Sequence, residues 1–355
     1  MIYVITIILE NNSRWQYEGD IPYYMSGAKK DHVVFAVDTI TITAERNKSF
    51  SEEDIFLNIQ NSLYNQMYKC LLLHYAINGA NAKIQKISIN VKRMSNCIEN
   101  FVRNFDTDNQ PFALYNSSIP FNPNVLNLLL EETDDAFQFR MIMAHWMSAI
   151  QEQSVLRKLE CIWRTFERLC AYHRHRPIHE RPIIADGLKK MIEELTDNPQ
   201  YYRESASYVH CFNDEYLRGF LWHDMIANNY PKGADNNKYD DYVRYLVTSF
   251  KDSRVIKLMF EMRHYRENDL KRFNLYSSMK HDCQTKLTSS TQKDIDVVAI
   301  LCCHYAYFLR NRLFHGQSLV RYSIFDPYMD MMRLEVVSHL LELLSVELIN
   351  NIDNL

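Results

Sequence analysis

The stretch DIDVVAILCCHYAYFLRNRLFHG, from Asp294 to Gly316, decides how the larger part of this chain is interpreted. It holds no proline, and its apolar side chains recur every three or four positions, which is typical of a helix with one buried face. Thr291, or Ser290 before it, can cap the start of the helix. Gly316 stands where a glycine commonly follows a helix, so we expect the helix to end at His315.

Three polar side chains follow one another closely at the end of this helix: Arg310, Asn311 and His315. An arginine can hold a phosphate and a histidine can move protons, and together they can cut RNA without a metal ion. The negative end of the helix dipole favours a protonated His315. Arg310 points about 140° away from His315 at roughly 100° per residue. The arginine must therefore curl round, or the last turn must loosen, for both to reach one phosphate.

The spacing between arginine and histidine is not specific by itself. It occurs five times, at Arg140/His145, Arg168/His173, Arg174/His179, Arg218/His223 and Arg310/His315. Only the last pair has an asparagine directly after the arginine and a glycine directly after the histidine. Context therefore favours the last pair, and we interpret the other four histidines as side chains packed at helix edges.

An arginine, a polar residue, three further residues and a histidine at the end of a long helix resemble the catalytic signature of the HEPN superfamily (higher eukaryotes and prokaryotes nucleotide-binding). The segment 159–169, where Glu167 follows Trp163 by four residues, is similar to the first helix of many such domains, notably those in abortive-infection-like proteins. The resemblance covers roughly residues 137–345. It implies a helical bundle, a homodimer and a metal-independent endoribonuclease in a phage-defence or toxin system.

The resemblance also implies roles for individual residues. The arginine, asparagine and histidine of the motif would be catalytic, and Glu167 would orient Arg310 as a supporting carboxylate. An alternative for Glu167 is a surface pairing on its own helix, with Arg164 or Arg168. The implied partners are RNA, a second copy of the chain, and an antitoxin or a phage trigger protein.

Other basic residues are candidates for RNA contacts: Arg312, Arg174, Arg176, Arg263 and Arg266. The connector 173–182, rich in His and Arg, is interpreted as a solvated connector, a phosphate contact or, least favoured, a metal cluster. The run Arg-His-Tyr-Arg at 263–266 could stack and pair with RNA, or form an exposed helix face. Spacing does not decide between these alternatives.

Composition excludes several classes of protein. The 355 residues carry a net charge of −4, so an RNA-binding protein of this kind must concentrate its positive charge locally. No phosphate-binding or dinucleotide-binding glycine motif occurs, and the 8 cysteines form no Cys-x-x-Cys pair. We expect reduced cysteines, a cytoplasmic location, no cofactor and no metal. The apolar run Ile2–Leu9 is too short to span a membrane and is typical of a strand.

The chain divides by pattern into a small α+β domain, residues 1–120, and a mainly all-α, HEPN-like helical bundle, residues 121–355. The first domain is predicted to contain three strands, Ile2–Leu9, Val33–Thr43 and Ile84–Val91, and one helix from Ser51 to about Ile77. The second is predicted to contain helices at Ala136–Tyr172 with a break near Glu152, Leu188–Thr196, Tyr201–Asn228, Tyr239–Phe250, Ser253–Leu275, Asp294 to His315, and Asp330–Ile352. Nothing in the first domain indicates its role.

Two other functions remain open at this point. The same helix ends could be packing elements of a non-catalytic module that binds nucleotides, RNA or protein. Nucleotidyl transfer would need a pair of metal ions held by carboxylates, and the chain offers no convincing motif for it.

Overall fold

The structure is a computed structural model that describes residues 1–10, 15–25, 27–79, 82–93, 96–108, 110, 119–172, 184–227, 248–262, 276–314 and 327–354. The chain divides into two compact units, Met1–Gln151 and Glu152–Leu355. Residues 121–151, which the sequence analysis placed in the second domain, group with the first unit.

A six-stranded antiparallel sheet dominates the described part of the first unit. Its strands are β1 Ile2–Leu9, β2 Tyr17–Pro22, β3 Lys30–Phe35, β4 Thr39–Glu45, β5 Ile84–Arg93 and β6 Asn96–Asn104, in the spatial order β2-β3-β4-β1-β5-β6. Every second residue of β1 is buried, from Tyr3 to Leu9, because successive side chains of a strand point to opposite faces. The α+β character predicted for this region is confirmed.

The predicted single strand Val33–Thr43 is a hairpin of β3 and β4. The amide of Ala36 donates to the carbonyl of Thr39 over 2.8 Å and closes the turn, and Val33 then pairs with Ile42. A continuous apolar run, 33–37, leads into this turn and is followed almost at once by β-branched residues, so the sequence pattern hides the turn. The edge strands β2 and β6 were not predicted. β6 is mostly polar and exposed, and β2 is short and includes a glycine and a proline, which are uncommon in strands.

The helices of the first unit are α1 Glu52–Leu57, α2 Ser62–Asn78, α3 Pro123–Leu126 and α4 Asp134–Gln151, with a 3₁₀ turn at Asn127–Leu130. Ser51 caps α1 in a reciprocal pair with Asp54, as the sequence indicated. The predicted helix from Ser51 to Ile77 is interrupted at 58–61, where Asn61 caps a second helix. That helix ends at Gly79, whose φ of 64° suits a residue without a side chain.

The described helices of the second unit are α5 Val155–Tyr172, α6 Ile184–Asp197, α7 Arg203–His210, α8 Asp214–Arg218, α9 Trp222–Ala227, α10 Ser253–Met262, α11 Tyr276–Ser289, α12 Asp294–Ala299, α13 Ala306–Phe314 and α14 Pro327–Asn350. The helical character and the break near Glu152 are confirmed. The predicted helix Tyr201–Asn228 is three short helices, α7 to α9. Helix α11 was not predicted, and most of 239–250 lies outside the described residues.

The motif helix is continuous from α12 to α13 through a π-helical turn, Ile300–Tyr305. A π turn adds one residue to a helical turn and rotates the residues after it relative to an ideal helix. The start is not capped by Thr291 or Ser290, so that expectation is wrong. The helix begins after Lys293, whose amide donates to the carboxylate of Asp252 over 2.6 Å.

Helix α14 packs against α5 and α7, and the motif helix packs against α5, α6 and α7. The π turn is almost fully buried, so it forms the centre of this unit. Among the helices of the described ranges, none is both long and apolar enough to cross a membrane.

Candidate active site

Arg310 and Asn311 lie in the last turns of α13. Phe308 and Leu309, just before them, are 0% and 2% exposed and fix the backbone of this turn in the core. Arg310 is half-buried, whereas Asn311 is only 5% exposed. The backbone is thus anchored by apolar packing while the guanidinium stays accessible.

The two side chains are joined directly. Nη1 of Arg310 donates to Oδ1 of Asn311 over 2.9 Å. This contact uses one of the five N–H donors of the guanidinium and holds it against α13.

Glu167 on α5 lies in the electrostatic field of Arg310. Burial raises the pKa of the Glu167 carboxyl, and the positive charge of Arg310 opposes this shift more than those of Arg168 and Arg164. Arg164 forms its hydrogen bond with Glu160 instead, at 2.5 Å. Arg310 therefore has a larger Coulomb effect on the pKa of Glu167 than either arginine of the same helix.

A cleft of about 190 Å³ opens beside Arg310, between α5 and α13. The rings of Trp163 and Tyr307 lie 5.9 Å apart and join the two helices beneath this region. The cleft is lined by three leucines and three charged residues: Leu156, Leu159, Leu313, Arg157, Glu160 and Arg310. It combines an apolar wall with two guanidinium groups and one carboxylate.

Arg312, a predicted RNA contact, is engaged within the protein. Its Nη1 donates to the carboxylate of Asp224 over 2.7 Å, and its guanidinium lies 5.4 Å from the ring centre of Phe308. Its side chain is only 15% exposed. These contacts favour a structural role, because an RNA phosphate would have to displace Asp224.

The remaining predicted site residues lie outside the described residues. These are the motif residues His315 and Gly316, the connector arginines Arg174 and Arg176, and the patch residues Arg263 and Arg266. The structure thus describes Arg310, Asn311 and Glu167 among the predicted catalytic and supporting residues.

A second polar centre, which the sequence analysis missed, surrounds Arg254 at the start of α10. Its guanidinium donates to the carboxylates of Asp252 and Asp294 at 2.9 and 2.6 Å, and to the carbonyls of Val209 and Phe212 at 3.1 and 2.9 Å. Arg254 is only 7% exposed. The network ties the end of α7 to the starts of α10 and α12, so its evident role is structural.

This network borders a broad cleft of about 460 Å³. His210 lies in it with Nδ1 2.7 Å from the carboxylate of Asp294, and Arg218 forms an ion pair with Glu261 at 2.6 Å. Arg218 and Arg254 of this cleft are paired with carboxylates, and the smaller cleft places Arg310 beside an apolar wall.

Two titratable groups, Glu347 and His304, are buried in and beside the motif helix. Glu347 on α14 accepts hydrogen bonds from the amides of Glu204 and Ser205 and from the Ser205 hydroxyl, so it caps α7 from another helix. Burial raises the pKa of Glu347 to about 7, and burial lowers the pKa of His304 in the π turn to about 3.

Comparison with known proteins gives no relative: no family model matches the chain, and no curated protein or solved structure shows significant similarity to it. In the part of the chain that the structure describes, no group of three or more His, Cys, Asp or Glu side chains is arranged to hold a metal ion.

Proposed function

We propose that this protein is a metal-independent endoribonuclease of the HEPN type, with Arg310, Asn311 and His315 as its catalytic residues. The observation that supports the proposal is the Arg310 guanidinium, oriented by Asn311 at the edge of a cleft and close to the end of a buried helix. His315 follows in the chain one residue after α13 as described.

In the proposed reaction, RNA supplies its own nucleophile, the ribose 2′-hydroxyl. A base removes the proton of that hydroxyl, the 2′-oxygen bonds to phosphorus, and the bond from phosphorus to the 5′-oxygen breaks. An acid gives a proton to the leaving 5′-oxygen, and the other product is a 2′,3′-cyclic phosphate. His315 provides the acid or the base, and Arg310 stabilises the added negative charge on the phosphorane. Asn311 positions Arg310.

Two proton transfers need two groups, and one histidine supplies one. A two-fold homodimer would bring two copies of the motif to one cleft and provide the second histidine. The proposal therefore includes a homodimer as the active species. An antitoxin or phage trigger that controls the activity, and phosphate contacts by Arg174, Arg176, Arg263 and Arg266, belong to the same proposal.

The proposal is tested by incubating the purified protein with labelled RNA in the presence of EDTA. We expect cleavage by the wild type that yields cyclic phosphate ends and is lost in Arg310→Ala and in His315→Ala. The exposed residues Arg203 and His281 provide matched controls, Arg203→Ala and His281→Ala, which should cleave like the wild type. Circular dichroism and thermal unfolding of each variant establish that the fold is kept.

Cleavage that requires a divalent cation, or that survives both motif substitutions, would contradict the proposal. RNA binding without cleavage by the wild-type protein would favour the alternative, a non-catalytic binding module. Sedimentation of the same samples tests the homodimer separately, since a strictly monomeric active enzyme is incompatible with two histidines contributed by two chains.

A further inference from the structure

We propose that the cleft between α5 and α13 binds one nucleobase of the RNA and prefers guanine. The proposal rests on the proposed function in one respect, namely that Arg310 holds the phosphate next to that base. It adds a substrate preference and assigns it to residues that the HEPN signature does not include.

The size and lining of the cleft suit a single flat ring system. Its volume of about 190 Å³ lies below the range of about 300–1,000 Å³ that is typical of sites for drug-sized ligands. Leu156, Leu159 and Leu313 supply apolar side chains on both helices. Enzymes that extrude a base from the stack hold it between aromatic or apolar side chains.

The charges at the cleft suit the backbone attached to such a base. Arg310 and Arg157 both line it, one from each helix, and Arg157 is exposed. A nucleotide whose base enters the cleft can place a phosphate on either guanidinium, and arginine binds phosphate oxygens through two parallel hydrogen bonds. Two guanidinium groups against one carboxylate at the cleft favour an occupant that carries negative charge, such as a nucleic acid.

Glu160 supplies the element that distinguishes one base from another. Arg164 donates to its Oε1 over 2.5 Å and thereby fixes the carboxylate at the cleft. An ionised carboxylate accepts hydrogen bonds only, and one contact uses a fraction of its lone pairs. Guanine is the base that presents two adjacent N–H donors, N1–H and the 2-amino group, on its Watson–Crick edge. Uracil, cytosine and adenine place an acceptor beside their donor.

The proposal predicts that Glu160→Gln loses the preference for guanine. A glutamine amide donates and accepts side by side, so it no longer favours the two adjacent donors of guanine over the donor and acceptor pairs of the other bases. Glu160 and Arg164 are both partly exposed, 38% and 48%, so loss of their ion pair should leave the fold intact.

The experiment measures the binding of short fluorescent 2′-O-methyl oligouridines that carry one central G, A, C or U. These RNAs cannot be cleaved, because the nucleophilic hydroxyl is blocked, so binding is read independently of catalysis. We expect the wild type to bind the G oligonucleotide about tenfold more tightly than the others. Glu160→Gln should lose the preference for the G oligonucleotide and bind all four with similar affinity, and Leu156→Trp, which fills the cleft, should weaken the G oligonucleotide to the level of the rest.

The matched control is Met331→Trp, because Met331 and Leu156 are similarly exposed, 38% and 40%, and Met331 does not line the cleft. It should bind like the wild type. Equal affinity for all four oligonucleotides, absence of binding, or an unchanged preference in Glu160→Gln would overturn the inference, even if the enzyme cleaves RNA in EDTA. A change in oligomeric state in Leu156→Trp without RNA would also overturn it, since a second copy would then occupy the cleft. If the protein prefers guanine but cleaves no RNA, the inference that the cleft binds guanine is supported and the proposed ribonuclease function is contradicted.

Discussion

The guanidinium of Arg310 donates from Nη1 to Oδ1 of Asn311, its neighbour in the chain, over 2.9 Å. Neighbouring residues on a helix point about 100° apart, so the arginine side chain must bend back along α13 to make this contact. The half-buried Arg310 is thereby held close to the helix surface beside the cleft, with the nearly buried Asn311 as its acceptor.

The first prediction concerns this hydrogen bond. Asn311→Asp should bind Arg310 more strongly, because a carboxylate is charged. That carboxylate competes with the RNA phosphate for the same guanidinium, so KM for RNA should rise about tenfold. Asn311→Ala should lower kcat, because Arg310 loses its positioning partner, and should cost about 1 kcal/mol in the free energy of unfolding. Steady-state kinetics and urea unfolding measure both effects. In an Arg310→Ala background the two Asn311 variants should no longer differ in activity, and a persistent difference would show that Asn311 acts without Arg310.

The second prediction concerns Glu347 and pH. Its pKa is raised by burial to about 7, against about 4.3 in an unfolded chain. The folded state therefore binds one more proton than the unfolded state between these values, and the contribution of Glu347 to the free energy of unfolding falls as the pH rises through this window. In Glu347→Gln this contribution, on the order of 3 kcal/mol across the window, should disappear. Urea unfolding as a function of pH measures it. The exposed Glu335→Gln on the same helix is the control, and an unchanged pH profile in Glu347→Gln would refute the assignment.

The third prediction concerns His304, which is 1% exposed and lies in the π turn with its ring centre 5.8 Å from that of Phe250. Burial lowers its pKa to about 3, against about 6.5 in an unfolded chain. Between these two pH values the unfolded chain binds a proton at His304 and the folded chain does not. Stability is lost as the pH falls through this window, by at most about 1.4 kcal/mol per pH unit. His304→Phe should make the protein more resistant to acid, as followed by circular dichroism, whereas the exposed His281→Phe should not. Equal acid resistance in the two variants would exclude His304 as the cause.

The fourth prediction concerns Arg254. Arg254→Met leaves the carboxylates of Asp252 and Asp294 without their guanidinium, and breaking a buried pair of this kind costs about 3–5 kcal/mol. Lys257, on the same helix, forms an exposed pair with Asp214, so Lys257→Met should cost at most about 1 kcal/mol. Urea unfolding compares the two variants. A loss in Arg254→Met no larger than that in Lys257→Met would contradict the role assigned to the network.

Local sequence patterns predicted a large part of the fold. The alternation in β1, the capping pair of Ser51 and Asp54, and the helical period of the stretch that begins at Asp294 are each encoded within a few neighbouring residues. Prediction from the sequence was wrong where the same kind of residue continues through a change of structure. The hairpin turn at 36–38 lies within one β-branched and apolar stretch, and the π turn lies within one helical period.

The candidate site divides in the same way. The order of Arg310, Asn311 and His315, and the apolar period that precedes them, follow from the sequence alone. Only the tertiary structure decided that Arg312 is paired with Asp224, and that Leu156 and Glu160 face the same cleft as Arg310. It also decided that the carboxylate of Asp252, and not Thr291, accepts a hydrogen bond from the amide of Lys293, directly before the motif helix. The physical reason is distance along the chain: periodicity and capping act over one or two turns, whereas pairing and burial depend on which distant residues the packed helices bring together.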